Sequence, residues 1–127
     1  EVQNQSREIK RRAVVATNLP LSPESEDTFW EKYDVYRAEV KSLEKMRYAL
    51  IYELSDHFTD LSAKEATSLA TRASNLELEA KKLKQAHMTD LKRVLEGVAV
   101  FQYYQIETKL DALFEAQLTS QIPIVMT

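Results

Sequence analysis

At 127 residues, 44% of them hydrophobic, the chain is long enough for one packed domain and too apolar for disorder. Its formal charge of −3, from 17 basic and 20 acidic side chains, argues against a nucleic-acid binder, which needs a basic face. The lack of cysteine excludes disulfides, thiolate metal sites and Cys nucleophiles, and no apolar run approaches the roughly 18 residues of a membrane-spanning helix.

Helix breakers are almost missing. There is one glycine, Gly97, and the three prolines, Pro20, Pro23 and Pro123, lie outside the stretch from Glu24 to Gln121. Sheet proteins need many turns and turns consume both residue types, so an all-α fold is expected. Residues 1–6 read as frayed. A short helix is predicted over about Arg7–Ala16, with Ile9, Ala13, Val14 and Ala16 as its apolar stripe. The cluster Arg7, Lys10, Arg11 and Arg12 reads as a solvated face, or as a contact for anionic lipid or a partner.

Leu21-Ser22-Pro23-Glu24 is a helix start: Ser22 suits the cap, Pro23 suits the first helical position, and Glu24, Glu26 and Asp27 suit the positive end of the helix dipole. Apolar residues then recur at spacings of three and four: Phe29, Tyr33, Tyr36, Val40, Leu43, Leu50, Leu54 and Phe58, with Arg47 in the one polar slot. This predicts a helix over about 23–58. Ser62-Ala63-Lys64-Glu65 has the form of a capping box and opens a second long helix over about 62–95. Its stripe alternates alanine with leucine (Ala66, Leu69, Ala73, Leu76, Ala80, Leu83) and ends in His87, Leu91 and Val94, a pattern suited to packing against another helix. Gly97 ends or kinks it. A last helix is predicted over about 98–121, stopped by Pro123, and Ile122, Ile124 and Val125 form an apolar tail suited to folding back or to serving a partner subunit.

The short link at residues 59–62 forces the two long helices to be antiparallel neighbours. The expected architecture is an elongated helical hairpin within a single domain spanning 1–127. In this register Tyr33 approaches His87, and Arg47 lies opposite Ser74 and Glu77. Charge alternates along the chain: ten acids and five bases from Glu24 to Asp60 give −5, seven bases and four acids from Lys64 to Arg93 give +3, and four acids and one base from Glu96 onward give −3. A hairpin cannot bury both sides of its stripes, so a homodimer is expected.

Catalytic patterns are missing. No Gly-rich loop, no Ser-His-acid arrangement and no HExxH zinc motif occurs, and no catalytic, cofactor or metal residues are assigned. Glu53, Asp56, His57 and Asp60 crowd one helix end without forming a metal motif. His87 reads as a core histidine donating to Tyr33 or Glu107, and Arg47, His87 and Glu107 are candidates for a structural polar node. Trp30, Tyr33, Tyr36, Phe101 and Tyr104 are the candidate protein-interaction surface, a groove for apolar peptide segments.

Leu21-Ser22-Pro23-Glu24, Phe29-Trp30-Glu31-Lys32-Tyr33-Asp34-Val35-Tyr36, Gln105-Ile106-Glu107 and Ile122-Pro123-Ile124-Val125 resemble a group of exported bacterial helical proteins over nearly the whole chain. That group is distantly similar to the Spy/CpxP-like periplasmic stress proteins and their LTxxQ motif, here Leu21-Ser22-Pro23-Glu24-Ser25 with Ser for both Thr and Gln. The resemblance implies a helical dimer in the periplasm, with the non-Met start at Glu1 left by signal-peptide removal. It does not transfer a chaperone activity; with catalytic patterns missing, the expected function is a non-enzymatic periplasmic interaction protein, an envelope-stress accessory or a chaperone-like holdase that binds apolar segments of envelope client proteins. A metal-responsive binder and a structural subunit of a helical complex are the alternatives.

Overall fold

The computed structural model describes residues 2–125, with side chains from residue 5 onward. The described residues are all-helical: α1 Val2–Asn18, α2 Pro23–Asp56, α3 Ala63–Leu91 and α4 Ala99–Thr119. The chain packs as two compact units. One is formed by residues 1–30 and 88–121; the other is formed by residues 31–87 with the tail from Ile122.

In the first unit α1 packs on α4. Val15, Leu19, Phe29, Leu91, Leu95 and Tyr103 are its buried apolar residues. Phe29 meets Tyr103 edge-on at 5.2 Å between ring centroids, which ties the first turns of α2 to α4. The helix α1 is longer than predicted and exposes a different face. It runs from Val2 through the stretch expected to fray, and Glu1 lies outside the described residues. Ile9, Ala13, Val14 and Ala16, the expected inner stripe, are exposed. The inner face is Arg11, Val15 and Leu19, spaced by four. Extension to Asn18 carries Leu19 onto the same side as Val15, and both side chains are buried there.

The second unit is the predicted hairpin. Glu53 bonds Arg72 at 2.8 Å near the turn, and farther along Tyr36 stacks on His87. A lower number on α2 meets a higher number on α3, so the two helices are antiparallel. The capping box forms as read: Ser62 Oγ accepts the Glu65 N–H at 3.1 Å, and Glu65 Oε1 accepts the Ser62 N–H at 3.2 Å. Between residues 38 and 86 only Leu50 is buried.

Helix ends fall short of the predicted bounds where hydrogen bonds tighten. After Asp56 the bonds run His57 N–H to Leu54 O and Asp60 N–H to His57 O. After Leu91 they run Arg93 N–H to Asp90 O and Val94 N–H to Leu91 O. These three-residue spacings are 3₁₀-like and close each helix in a narrower turn. Gly97 follows at φ +56, a left-handed conformation that glycine adopts without strain, and Val98 takes the cap position of α4. At the other end of α4, Ser120 N–H bonds Ala116 O and Gln121 N–H bonds Leu118 O before Pro123. In the tail, Ile122 is half-buried while Ile124 and Val125 are exposed.

Candidate functional site

Helix α4 begins immediately after the left-handed Gly97, and its first two turns carry the candidate site. Val98, Phe101 and Tyr104 follow one another at three-residue spacing, so they share one side of the helix. Val98 is 74% exposed, Phe101 60% and Tyr104 43%. The Phe101 and Tyr104 rings stack with centroids 6.2 Å apart and an interplanar angle of 21°. Tyr103, between them in sequence, points the opposite way and is fully buried. One face of α4 thus anchors the unit while the other holds two aromatic rings and a valine in water. Two aromatics of limited side-chain freedom offer large contact area at small entropic cost, which suits binding of an apolar segment.

The remaining predicted surface residues behave differently. Trp30 is half-buried, and the Arg12 guanidinium lies over its ring at 4.3 Å, in cation–π contact. Tyr33 and Tyr36 are buried in the hairpin unit and present no surface. The Tyr36 ring lies flat on the His87 imidazole, with centroids 3.9 Å apart and planes 2° from parallel. His87 is therefore a core residue, and the ring stacked on it is one turn beyond the Tyr33 expected there.

Of the candidate polar node, Arg47 lies apart from His87. Arg47 is half-buried on α2, eleven residues beyond the Tyr36 that stacks on His87, or about 16 Å along the helix. Glu107 belongs to the other unit, where its carboxylate bonds Arg11 Nη2 at 3.1 Å. The same nitrogen bonds Asp111, one turn along α4, and approaches the Glu107 carbonyl oxygen at 3.4 Å. Arg11 is only 3% exposed and Glu107 1%. This overturns the reading of Arg11 as part of a solvated basic face. An arginine taken out of water needs an acid at its head, and α4 supplies two at the four-residue spacing that places them on one side. The sequence signal is the run Arg11, Val15, Leu19 set against Glu107 and Asp111, readable only once α1 is known to reach Asn18.

At the hairpin turn, Glu53, His57, Leu61, Lys64, Glu65, Ser68, Leu69 and Arg72 line an open cleft of about 200 Å³. His57 Nδ1 lies 3.8 Å from Asp60 and Nε2 3.9 Å from Glu65, so its ring sits between two carboxylates. The Glu65 carboxyl is held below its ordinary value of 4.5, first by the Ser62 side chain, then by the Ser62 backbone N–H, with a smaller contribution from the charge on His57. Charges here are matched internally, Glu53 with Arg72 and Glu65 with its own cap. Among the described residues no group of three or more His, Cys, Asp or Glu is arranged to hold a metal ion. No helix among them is long and apolar enough to cross a membrane.

No protein family, characterised protein or solved structure matches this chain.

Proposed function

We propose that this protein is a non-catalytic, protein-binding module that captures apolar segments of other polypeptides on the first two turns of α4. The exposed Val98, Phe101 and Tyr104 carry this reading. Two neighbouring aromatics left largely exposed on a helix whose opposite face is buried at Tyr103 cost the fold solubility and add little to its core. The flanking positions Gln102 and Gln105 are uncharged, so the face does not repel apolar segments of either sign. As an extension of the same proposal, the protein works in the periplasm as an envelope-stress accessory with holdase activity. Support for that part is the resemblance of Leu21–Ser25, Phe29–Tyr36 and Ile122–Val125 to exported helical proteins.

The test is suppression of light scattering from a chemically denatured client, with the intact chain and a Phe101→Ser, Tyr104→Ser double variant. The intact chain should slow aggregation at stoichiometric amounts, and the variant should lose most of that effect while keeping its helical circular dichroism. Both side chains are exposed, so the substitutions should leave stability nearly unchanged. Equal activity of the two proteins would remove the α4 face as the binding site, and inactivity of the intact chain towards several clients would remove the holdase.

A further inference from the structure

The hairpin is a helical layer with one side lacking a core. From residue 38 to residue 86 a single residue, Leu50, is buried. Leu43, Leu54 and Phe58 on the α2 side, and Leu69, Leu76 and Leu83 on α3, are only half-buried. A two-helix layer shields each such side chain on one flank and leaves the other to water. The 24 residues of α3 from Ala63 to Ala86 at about 1.5 Å rise, set beside α2 in a layer about 20 Å wide, give a face of roughly 700 Å². That is close to the ~800 Å² per partner of a stable protein interface.

Charge identifies what fits this face. Residues 38–60 hold five acids and three bases, a formal −2, and residues 61–86 hold five bases and three acids, a formal +2. The layer therefore has one acidic and one basic edge, of equal size. A second copy laid face to face can be related by a two-fold axis in two ways. An axis perpendicular to the helices sets acidic helix on acidic helix and basic on basic. An axis parallel to the helices sets the acidic helix of each copy on the basic helix of the other, with all neighbouring helices antiparallel and both Ser62 turns at one end. Only the second arrangement is attractive at both edges.

We propose that the α2–α3 hairpin is a homodimerisation surface, and that two copies form a four-helix bundle with both hairpin turns at the same end. Leu69, Leu76 and Leu83 of each copy then complete their burial against the partner. Ala66, Ala73 and Ala80, exposed in the single chain, let the helices approach closely.

Sedimentation equilibrium of the full chain tests this, with the mass expected to double from 14.7 kDa. Ala73→Glu places a charge on the open face, and Asn75→Glu places the same charge on the far side of α3, where both native residues are exposed. Ala73→Glu should raise the dimer dissociation constant roughly 30-fold or more, while Asn75→Glu should leave it within a few-fold. The chain has no cysteine. A spin label on Asp60→Cys therefore reports the separation of the two turns, independently of any change to the face. Same-end packing predicts a distance within about 20 Å, two interaxial spacings, against about 35 Å or more for opposite ends, the length of the shared helices. A monomer at about 100 μM, an affinity insensitive to Ala73→Glu, or a label distance of the longer kind would each overturn the proposal.

Discussion

The unit built from α1 and α4 and the hairpin unit solve the same problem with different means. The first closes a core: Phe29, Leu91, Tyr103 and Val15 are fully out of water, and even its ionic residues Arg11 and Glu107 are buried. The hairpin unit buries Tyr33, Tyr36, Arg37 and His87 at the end away from the Ser62 turn but leaves the rest of its stripe half in contact with solvent, with Leu50 the one buried residue between 38 and 86. A helix with neighbours on two sides can seal its stripe, and a helix with a neighbour on one side cannot. Stability is therefore expected to concentrate in the first unit, and surface available to partners in the second and on the outer face of α4.

The sharpest way to break this comparison is through the buried ion pair. Arg11→Met leaves Glu107 as a charge with its Arg11 bond removed in a site 1% exposed, and should cost about 3–5 kcal/mol, read as a lowered urea midpoint. The Arg11→Met, Glu107→Leu double variant removes both charges and fills the space, and should recover the loss or exceed native stability by about 1–4 kcal/mol. If the single variant costs under ~1 kcal/mol, the pair is solvated in solution and the first unit is no better sealed than the hairpin.

A pair of leucine truncations measures the contrast directly. Leu91→Ala removes a side chain that is fully buried and should cost about 2–5 kcal/mol. Leu76→Ala, half-buried on the hairpin, should cost roughly half as much or less, since part of its surface already meets water. Both are read by the same chemical denaturation. Equal losses would mean that the hairpin stripe is covered in solution, and a loss at Leu76 that grows with protein concentration would assign the cover to a second copy.

These contrasts also mark what the sequence makes legible. Periodicity over 30 or more residues is unambiguous, so α2 and α3, their antiparallel order and the Ser62–Glu65 capping box follow from the residues alone. A ten-residue window is different. For α1 the choice between the stripe Ile9-Ala13-Val14-Ala16 and the stripe Arg11-Val15-Leu19 turns on whether the helix reaches residue 18 and on an acid 96 positions away. Local pattern carries no information about Glu107, so an arginine that closes a core reads as a solvated one. The aromatic group was separable only in part for a similar reason. Tyr103 and Tyr104 are adjacent and chemically alike, yet one is buried and one exposed, because rotation of α4 about its axis is set by the residues packed against it.

A smaller effect is expected at the link before α4. Gly97 sits at φ +56, and a methyl group added there meets nothing within 4 Å, so any cost of Gly97→Ala is conformational and not steric. An L-residue in the left-handed region should lose about 1–2 kcal/mol, and Gly97→Asn should lose less because asparagine tolerates that region. If alanine is neutral, the link relaxes, and the start of α4 with its exposed Val98 and Phe101 is less rigid than the binding reading requires.

The smallest effect lies at the hairpin turn and depends on pH. Ser62→Ala removes the hydroxyl that accepts the Glu65 N–H and should cost about 1 kcal/mol. The Glu65 carboxyl has a folded-state pKa below 4.5, with the Ser62 side chain as the leading cause. A depressed carboxyl stabilises the fold fully above its unfolded-state value, and that contribution is lost as pH falls through the lower folded-state value. Hydrogen exchange at the first turn of α3 should therefore accelerate as pH drops below 4.5, relative to the intrinsic rate of each amide. Glutamine keeps the reciprocal bond of the capping box without titrating, so Glu65→Gln should hold its protection constant through the same range. If the acid response is the same in both proteins, it originates elsewhere in the hairpin, and the turn is held by helix packing, not by its cap.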